Sequence, residues 1–265
     1  MSLLSAEVIA EALRRKAEAE AAGVASPLQA VFVTVAREPQ YVHATLRSFL
    51  EADPAAALLL PVTLMVGGAD AAYLRPYEEQ GLARVVPMTP PEVARMEDFP
   101  APEGKRTHYR YNTNYLRALS AERDTGKGLL IFEDDLRFTG DWVRKLTETL
   151  QRIDLSARKE FLLTLYSPFP YESGIDFDAI SPDDFYGNQG LYYPPAVVKR
   201  MTVFFRLHAV ERYGQPGDLA VGTFCRLSAI PILRTRHSLV QHEGVVTTGL
   251  SPSGISQHRS PTFIE

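Results

Sequence analysis

Apolar positions along the chain switch repeatedly between helical and strand spacing. Near the amino terminus Val8, Ile9, Ala12 and Leu13 mark one modest helical face, with Ser5 placed to cap a helix and Gly23 to stop it near residue 22. Residues 30–36 then form an almost continuous apolar, β-branched run, as in a strand covered on both faces. A helix is expected from about Pro39, because Tyr41, Val42, Thr45, Leu46, Phe49 and Leu50 recur at core spacing. Residues 61–66 and 83–86 predict a second and a third strand, and five prolines between 87 and 104 predict a long loop. A helix over 109–121, a strand over 128–132, a helix over 142–153 and a strand over 160–166 continue the alternation. That order predicts an α/β fold with an open, mostly parallel sheet flanked by helices.

Beyond residue 167 the pattern loosens. Residues 168–195 are rich in Pro, Gly, Asp and Tyr, which predicts a shaped loop with a short hairpin near 190–193. Helices over 196–213 and 217–227 and a strand ending at Ser238-Leu239-Val240 complete the chain, and no internal repeat is present.

Composition narrows the class. Of 265 residues, 45% are hydrophobic and 23% charged, an ordinary globular balance. Lys and Arg total 28 against 32 Asp and Glu, so no cationic field draws the chain to phosphate backbones, and nucleic acid is not an expected partner. Cys225 stands alone, cannot form an intrachain disulfide, and fits a reducing cytoplasm as a small core residue. Glu7, Glu11, Arg14, Arg15 and Lys16 interrupt any secretory signal, and the most apolar stretch, 55–66, is broken by Pro61 and falls short of the roughly 20 residues a membrane span needs. A cytoplasmic location without a transmembrane segment is therefore expected.

Candidate chemistry begins where the strand over 128–132 runs into Glu133-Asp134-Asp135. Ligands of open α/β sheets bind outside the carboxyl ends of the strands. Hard carboxylate oxygens there suit Mg²⁺ or Mn²⁺, which neutralise charge on a diphosphate leaving group. The same acids could instead cap the helix near Asp141 or sit solvated in a turn. His242 follows the apolar 238–240 segment and can offer an imidazole nitrogen to the same metal, or serve as a satisfied structural histidine. Arg110 and Asn114 lie one helical turn apart and can face a single phosphate or base with Tyr111 stacked beside them, or form a solvated face. There is no GxGxxG, no GxxxxGK[ST] and no GxSxG, and residues 241–244 do not make HExxH, so dinucleotide, P-loop, serine-hydrolase and zincin signals are missing.

Three segments in this order carry a resemblance. Thr34-Val35-Ala36-Arg37-Glu38 is followed by Tyr41, Thr45-Leu46 and Ser48; Phe132-Glu133-Asp134-Asp135 comes next; residues 234–251 contain Ser238-Leu239-Val240-Gln241-His242-Glu243-Gly244. Together they resemble the GT-A glycosyltransferases, in particular the branch typified by N-acetylglucosaminyltransferase IV. The resemblance implies a single GT-A domain over 1–265: an N-terminal helix over 1–27, a nucleotide-binding half over 28–166 and a donor-sugar and acceptor half over 167–265. It implies transfer of a sugar from a nucleotide-sugar donor, a UDP-sugar above all, to a hydroxyl of a glycan, lipid or small-molecule acceptor, with Mn²⁺ or Mg²⁺ as cofactor. It makes Asp135 the principal metal ligand, brings Glu133 or Asp134 to ribose or metal-bound water, and gives His242 to the metal or pyrophosphate. Thr34, Val35 and Arg37 fall where the first strand meets the nucleotide, and Gly187-Asn188-Gln189-Gly190 resembles the loop beneath the donor sugar. Asp218 falls at the acceptor side, where it would be the general base of an inverting displacement or, as plainly, an ordinary helix-capping residue. Two other readings stay open: a metal-dependent nucleotidyltransferase, which uses the same acids, and a catalytically silent nucleotide-binding protein on the same scaffold.

Overall fold

The computed structural model of the chain describes residues 4–37, 40–99, 103–156, 158–170, 176–211, 216–245 and 259–265. Helix α1 (Ala6–Ala21) opens where the Ser5 hydroxyl oxygen accepts from the Val8 N–H, as its sequence suggests. Then come β1 (Leu28–Thr34), α2 (Val42–Ala52), β2 (Val62–Val66), α3 (Arg75–Glu79) and β3 (Ala83–Val86). The expected helix start at Pro39 lies outside the described residues.

Residues 87–104 are not all loop. They contain α4 (Pro90–Glu97), at whose start Glu92 accepts from both the N–H and the hydroxyl of Thr89 (2.7 and 2.8 Å). Pro90 and Pro91 occupy the first turn, where a missing N–H costs nothing, so prolines that read as breakers here start a helix. Helix α5 (Glu103–Glu122), β4 (Gly128–Glu133), β5 (Leu136–Phe138), α6 (Trp142–Leu155) and β6 (Leu162–Thr164) follow. The last third holds β7 (Phe177–Ile180), β8 (Gly190–Tyr193), α7 (Pro195–Phe205), α8 (Gly217–Ser228), β9 (Ile232–Thr235) and β10 (Val240–His242). Helix α7 passes at Arg206–Glu211 into a stretch of π-helix, so the single helix expected over 196–213 has two parts among the described residues.

Eight strands form one sheet in the order β3-β2-β1-β4-β8-β6-β9-β7. Strands β3, β2, β1 and β4 are parallel, as are β6 and β9, while β8 runs antiparallel between β4 and β6 and β7 antiparallel to β9. The sheet is thus mixed and mostly parallel. Strand β8 is a fully buried central strand rather than half of a local hairpin. Its Gly-Leu-Tyr-Tyr sequence is too short to show a period, and its flanking turn residues belong to crossovers. The short β5 and β7 also escape the sequence pattern, and β10 pairs with β5 in a separate antiparallel ribbon.

The continuous apolar runs have a simple cause. Phe32, Leu130 and Phe132 point into one core beneath α2 and α6, with Phe49, Phe138 and Trp142, whereas Val31, Val33, Leu129 and Ile131 point into a second beneath α5, α7 and α8. Each side chain so buried contributes roughly 1.5–3 kcal/mol. With both faces covered, ligands can reach the sheet only at its ends, and Val33 pairs with Glu133 at the carboxyl ends of β1 and β4. Among the described residues no helix is long and apolar enough to cross a membrane.

Candidate metal and nucleotide site

Three consecutive acids fill the turn between β4 and β5, and its backbone is held from three directions. Glu133 N–H donates to the Gln189 carbonyl just before β8 (3.1 Å), and Glu243 N–H donates to the Asp135 carbonyl (2.8 Å). From α2, the Thr45 hydroxyl donates to the Asp134 carbonyl (2.7 Å) and accepts from Leu136 N–H (2.9 Å). Pairing of Leu136 with His242 in the β5–β10 ribbon then brings the imidazole beside Asp135.

The side chains diverge from that turn. Asp134 turns toward β1, where one oxygen accepts from the Thr34 hydroxyl (2.7 Å) and the Val35 N–H (3.3 Å) and the other pairs with the Arg37 guanidinium. Asp135 places Oδ2 at 3.0 Å from Arg37 Nη2 and 3.3 Å from His242 Nε2, while its Oδ1 is buried without a hydrogen-bond partner. Glu133 turns toward α5 and accepts from the Tyr111 hydroxyl (2.8 Å). Arg37 lies over the Tyr41 ring, 4.6 Å from its centroid.

Glu133, Asp135 and His242 each offer a ligand atom within 4.8 Å of the other two. Atoms bound to one cation at about 2.1–2.4 Å lie no more than roughly 4–5 Å apart, so the spacing suits a divalent ion. The orphaned Oδ1 points the same way, since a buried acceptor left unpaired carries a desolvation cost that a cation would remove. Gly244 belongs to this geometry: a Cβ there would collide with Oδ2 of Asp135, so only glycine lets the chain after β10 pass so close.

Electrostatics separates the three acids. Burial pushes the Glu133 carboxyl well above the usual range, with the Asp135 charge adding to the effect. Burial also raises Asp134, against the opposing pull of Arg37. For Asp135 burial acts upward, but the hydrogen bond and charge of His242, together with Arg37, outweigh it and hold this carboxyl below its ordinary value. His242 responds in kind: burial would lower its pKa, and Asp135 raises it overall.

The capping alternative does not apply. Helix α6 is capped by Asp53, whose Oδ2 accepts from Val143 and Arg144 N–H (2.8 and 3.2 Å), so Glu133, Asp134 and Asp135 play no such part. Asn114 is buried and donates to the carbonyls of Met65 (2.9 Å) and Thr34 (3.4 Å), tying α5 to the ends of β1 and β2, whereas Arg110 one turn earlier is exposed. Tyr111 hydrogen-bonds to the acid cluster. Gly190 opens β8 opposite Phe132, and its carbonyl accepts from Leu165 N–H (2.9 Å). Asp218 lies in the first turn of α8, where its oxygens accept from Leu219 N–H (2.8 Å) and Gly187 N–H (3.3 Å). Its neighbour Gly217 packs so tightly on Asn188, Asn112 and Tyr111 that a side chain would displace them, which links α8 to the Glu133 flank.

Four contributors that the sequence segments contain gain their part only from the fold: the close approach of Gly244, the double hydrogen bond of Thr45, and the buried Asn188 Oδ1 and Gln189 Oε1, both without a partner.

No protein-family model matches the chain, and none of the curated proteins compared with it matches. Among solved structures, the crystal structure of GalNAc-T7 with UDP, GalNAc and Mn²⁺ superposes with a TM-score of 0.51 at 9% sequence identity. That match covers 81% of this chain and 42% of the GalNAc-T7 chain, so this chain spans under half the length of the protein it resembles. The strand order, the helices on both faces and this superposition agree on one architecture: the chain has the mixed α/β fold of a GT-A glycosyltransferase.

Proposed function

We propose that the chain is a divalent-metal-dependent glycosyltransferase that moves a sugar from a UDP-sugar to an acceptor hydroxyl. The observation that carries this reading is the convergence of Glu133, Asp135 and His242, with a buried unpaired carboxylate oxygen among them, at the sheet end where such folds take ligands. The solved structure of similar fold holds UDP, GalNAc and Mn²⁺, which supports both the donor class and the metal. A bound divalent cation supplies charge to stabilise a departing diphosphate. Two carboxylates and an imidazole form a mixed oxygen and nitrogen donor set that suits Mn²⁺ better than Mg²⁺.

Placement supports the remaining roles in this reading. Thr34, Val35 and Arg37 fix Asp134 at the end of β1 and present that edge to the nucleotide, with Asn114 bracing it from behind. Arg110, exposed on α5, is free to reach an outer phosphate or base. The loop that leads into Gly190 is tied to Glu133 by the Gln189 carbonyl, and its buried, unpaired Asn188 and Gln189 amide oxygens are ones that hydroxyl groups of a donor sugar would satisfy. Asp218, held by two backbone N–H groups, is the proposed general base that takes the acceptor proton as its oxygen attacks the anomeric carbon with inversion. Likeness of the sequence motifs to the N-acetylglucosaminyltransferase IV branch favours an N-acetylhexosamine or hexose donor. The test is UDP release from a panel of UDP-sugars with Mn²⁺, followed by product analysis. Free UDP from one sugar, lost in Asp135→Asn, supports the reading, while release of pyrophosphate from a nucleoside triphosphate favours the nucleotidyltransferase alternative.

A further inference from the structure

We infer that Arg37 is a resident counter-ion that competes with the metal, so that the site holds a divalent cation weakly until an anionic nucleotide arrives. The inference rests on the metal-site reading above and concerns a residue that is not itself a metal ligand.

Two adjacent buried carboxylates, Asp134 and Asp135, share one guanidinium, and Glu133 stands next to them in the chain. Nη2 of Arg37 pairs with Asp134 and also lies 3.0 Å from Oδ2 of Asp135, the oxygen that His242 approaches from the other side at 3.3 Å. Its side chain is only 12% exposed, so water screens these interactions weakly. The stack on Tyr41 holds the guanidinium in place, and the Tyr41 hydroxyl in turn accepts from Val245 N–H (3.2 Å).

Two consequences follow. The oxygens of Asp134 are taken by Thr34, Val35 and Arg37, so this acid is withheld from the cation, and among the described residues Glu133, Asp135 and His242 converge on a common point. A fixed positive charge also sits a few ångström from that point and repels any cation arriving there. A diphosphate adds negative charge and offers Arg37 a bidentate partner, which relieves that repulsion. Metal and nucleotide affinities are thereby coupled, and the coupling is reciprocal.

The test is titration of MnCl₂ alone, read by electron paramagnetic resonance of free Mn²⁺, into the wild-type chain, Arg37→Gln, Arg37→Lys and Asp135→Asn, each repeated with saturating UDP. Removing a nearby unit charge is expected to tighten Mn²⁺ binding without nucleotide by about tenfold in Arg37→Gln. Arg37→Lys, which keeps the charge, is expected to stay within about twofold of wild type. UDP is expected to tighten Mn²⁺ binding markedly in the wild type and much less in Arg37→Gln. A damaged fold cannot produce tighter binding, and Arg37→Met, which keeps the contact with Tyr41, replaces the Gln variant if that chain does not fold. Unchanged or weaker Mn²⁺ binding in the neutral variants, with Asp135→Asn abolishing it, overturns the role of Arg37 and leaves the metal site standing. Absence of Mn²⁺ binding in every chain, with and without UDP, overturns both.

Discussion

The two ends of the sheet handle buried acids in opposite ways. At the amino ends of the strands, Glu122 is 8% exposed and answered one to one: Arg84 pairs with it, and the Thr63 hydroxyl donates to the same oxygen (3.3 Å). At the carboxyl ends, Asp134 and Asp135 share a single guanidinium, Asp135 adds one imidazole, Glu133 has only the Tyr111 hydroxyl, and one carboxylate oxygen of Asp135 is left unpaired. A fully compensated acid stabilises the fold, whereas an excess of buried negative charge is destabilising unless a cation joins it. That excess lies where β1, β4 and β8 converge, which sets the candidate-site end of the sheet apart from the end that holds Glu122.

Substitutions at the two ends should therefore separate metal affinity from stability. The largest expected effect is at Asp135: Asp135→Asn removes a ligand charge and should weaken Mn²⁺ binding by about a hundredfold or more, measured by calorimetry. Next is Gly244→Ala, whose methyl group must push Asp135 aside; Mn²⁺ affinity should fall about tenfold while the melting temperature moves little, and equal affinity would show the close approach to be incidental. At the opposite end Glu122→Gln should reverse the pattern. It should cost about 1–2 kcal/mol in urea unfolding, a modest figure because Arg84 is 53% exposed, and leave Mn²⁺ binding untouched. Smallest is Cys225, on the buried face of α8, whose thiol burial pushes up to about 12. It should resist thiol-directed reagents at pH 8 in the native chain and react at once in denaturant, so rapid native labelling would show that the helical layer over β8 and β9 opens.

How much of this could be read from sequence differs between the same regions. Strands β1, β2 and β4 announce themselves because they are buried on both faces and so are almost continuously apolar, and Glu133 stands out as the abrupt end of such a run. Strands β5, β8 and β10, of three or four residues, cannot show a period, yet they bring His242 to Asp135 and Gln189 to Glu133 across 107 and 56 positions of sequence respectively. Helix α4 was hidden because proline in a first helical turn reads like proline in a loop. The candidate ligands were legible as residue types at strand ends. Their arrangement was not, because which acid faces Arg37 and which faces His242 depends on the direction each side chain takes from a single turn.

The most direct measurement is calorimetric titration of UDP into the chain with Mn²⁺ and, separately, with EDTA. A nucleotide-sugar site built on Glu133, Asp135 and His242 requires UDP to bind with Mn²⁺ and to lose most of that affinity in EDTA and in Asp135→Asn. Binding of equal strength in EDTA, or no binding under either condition, would contradict it.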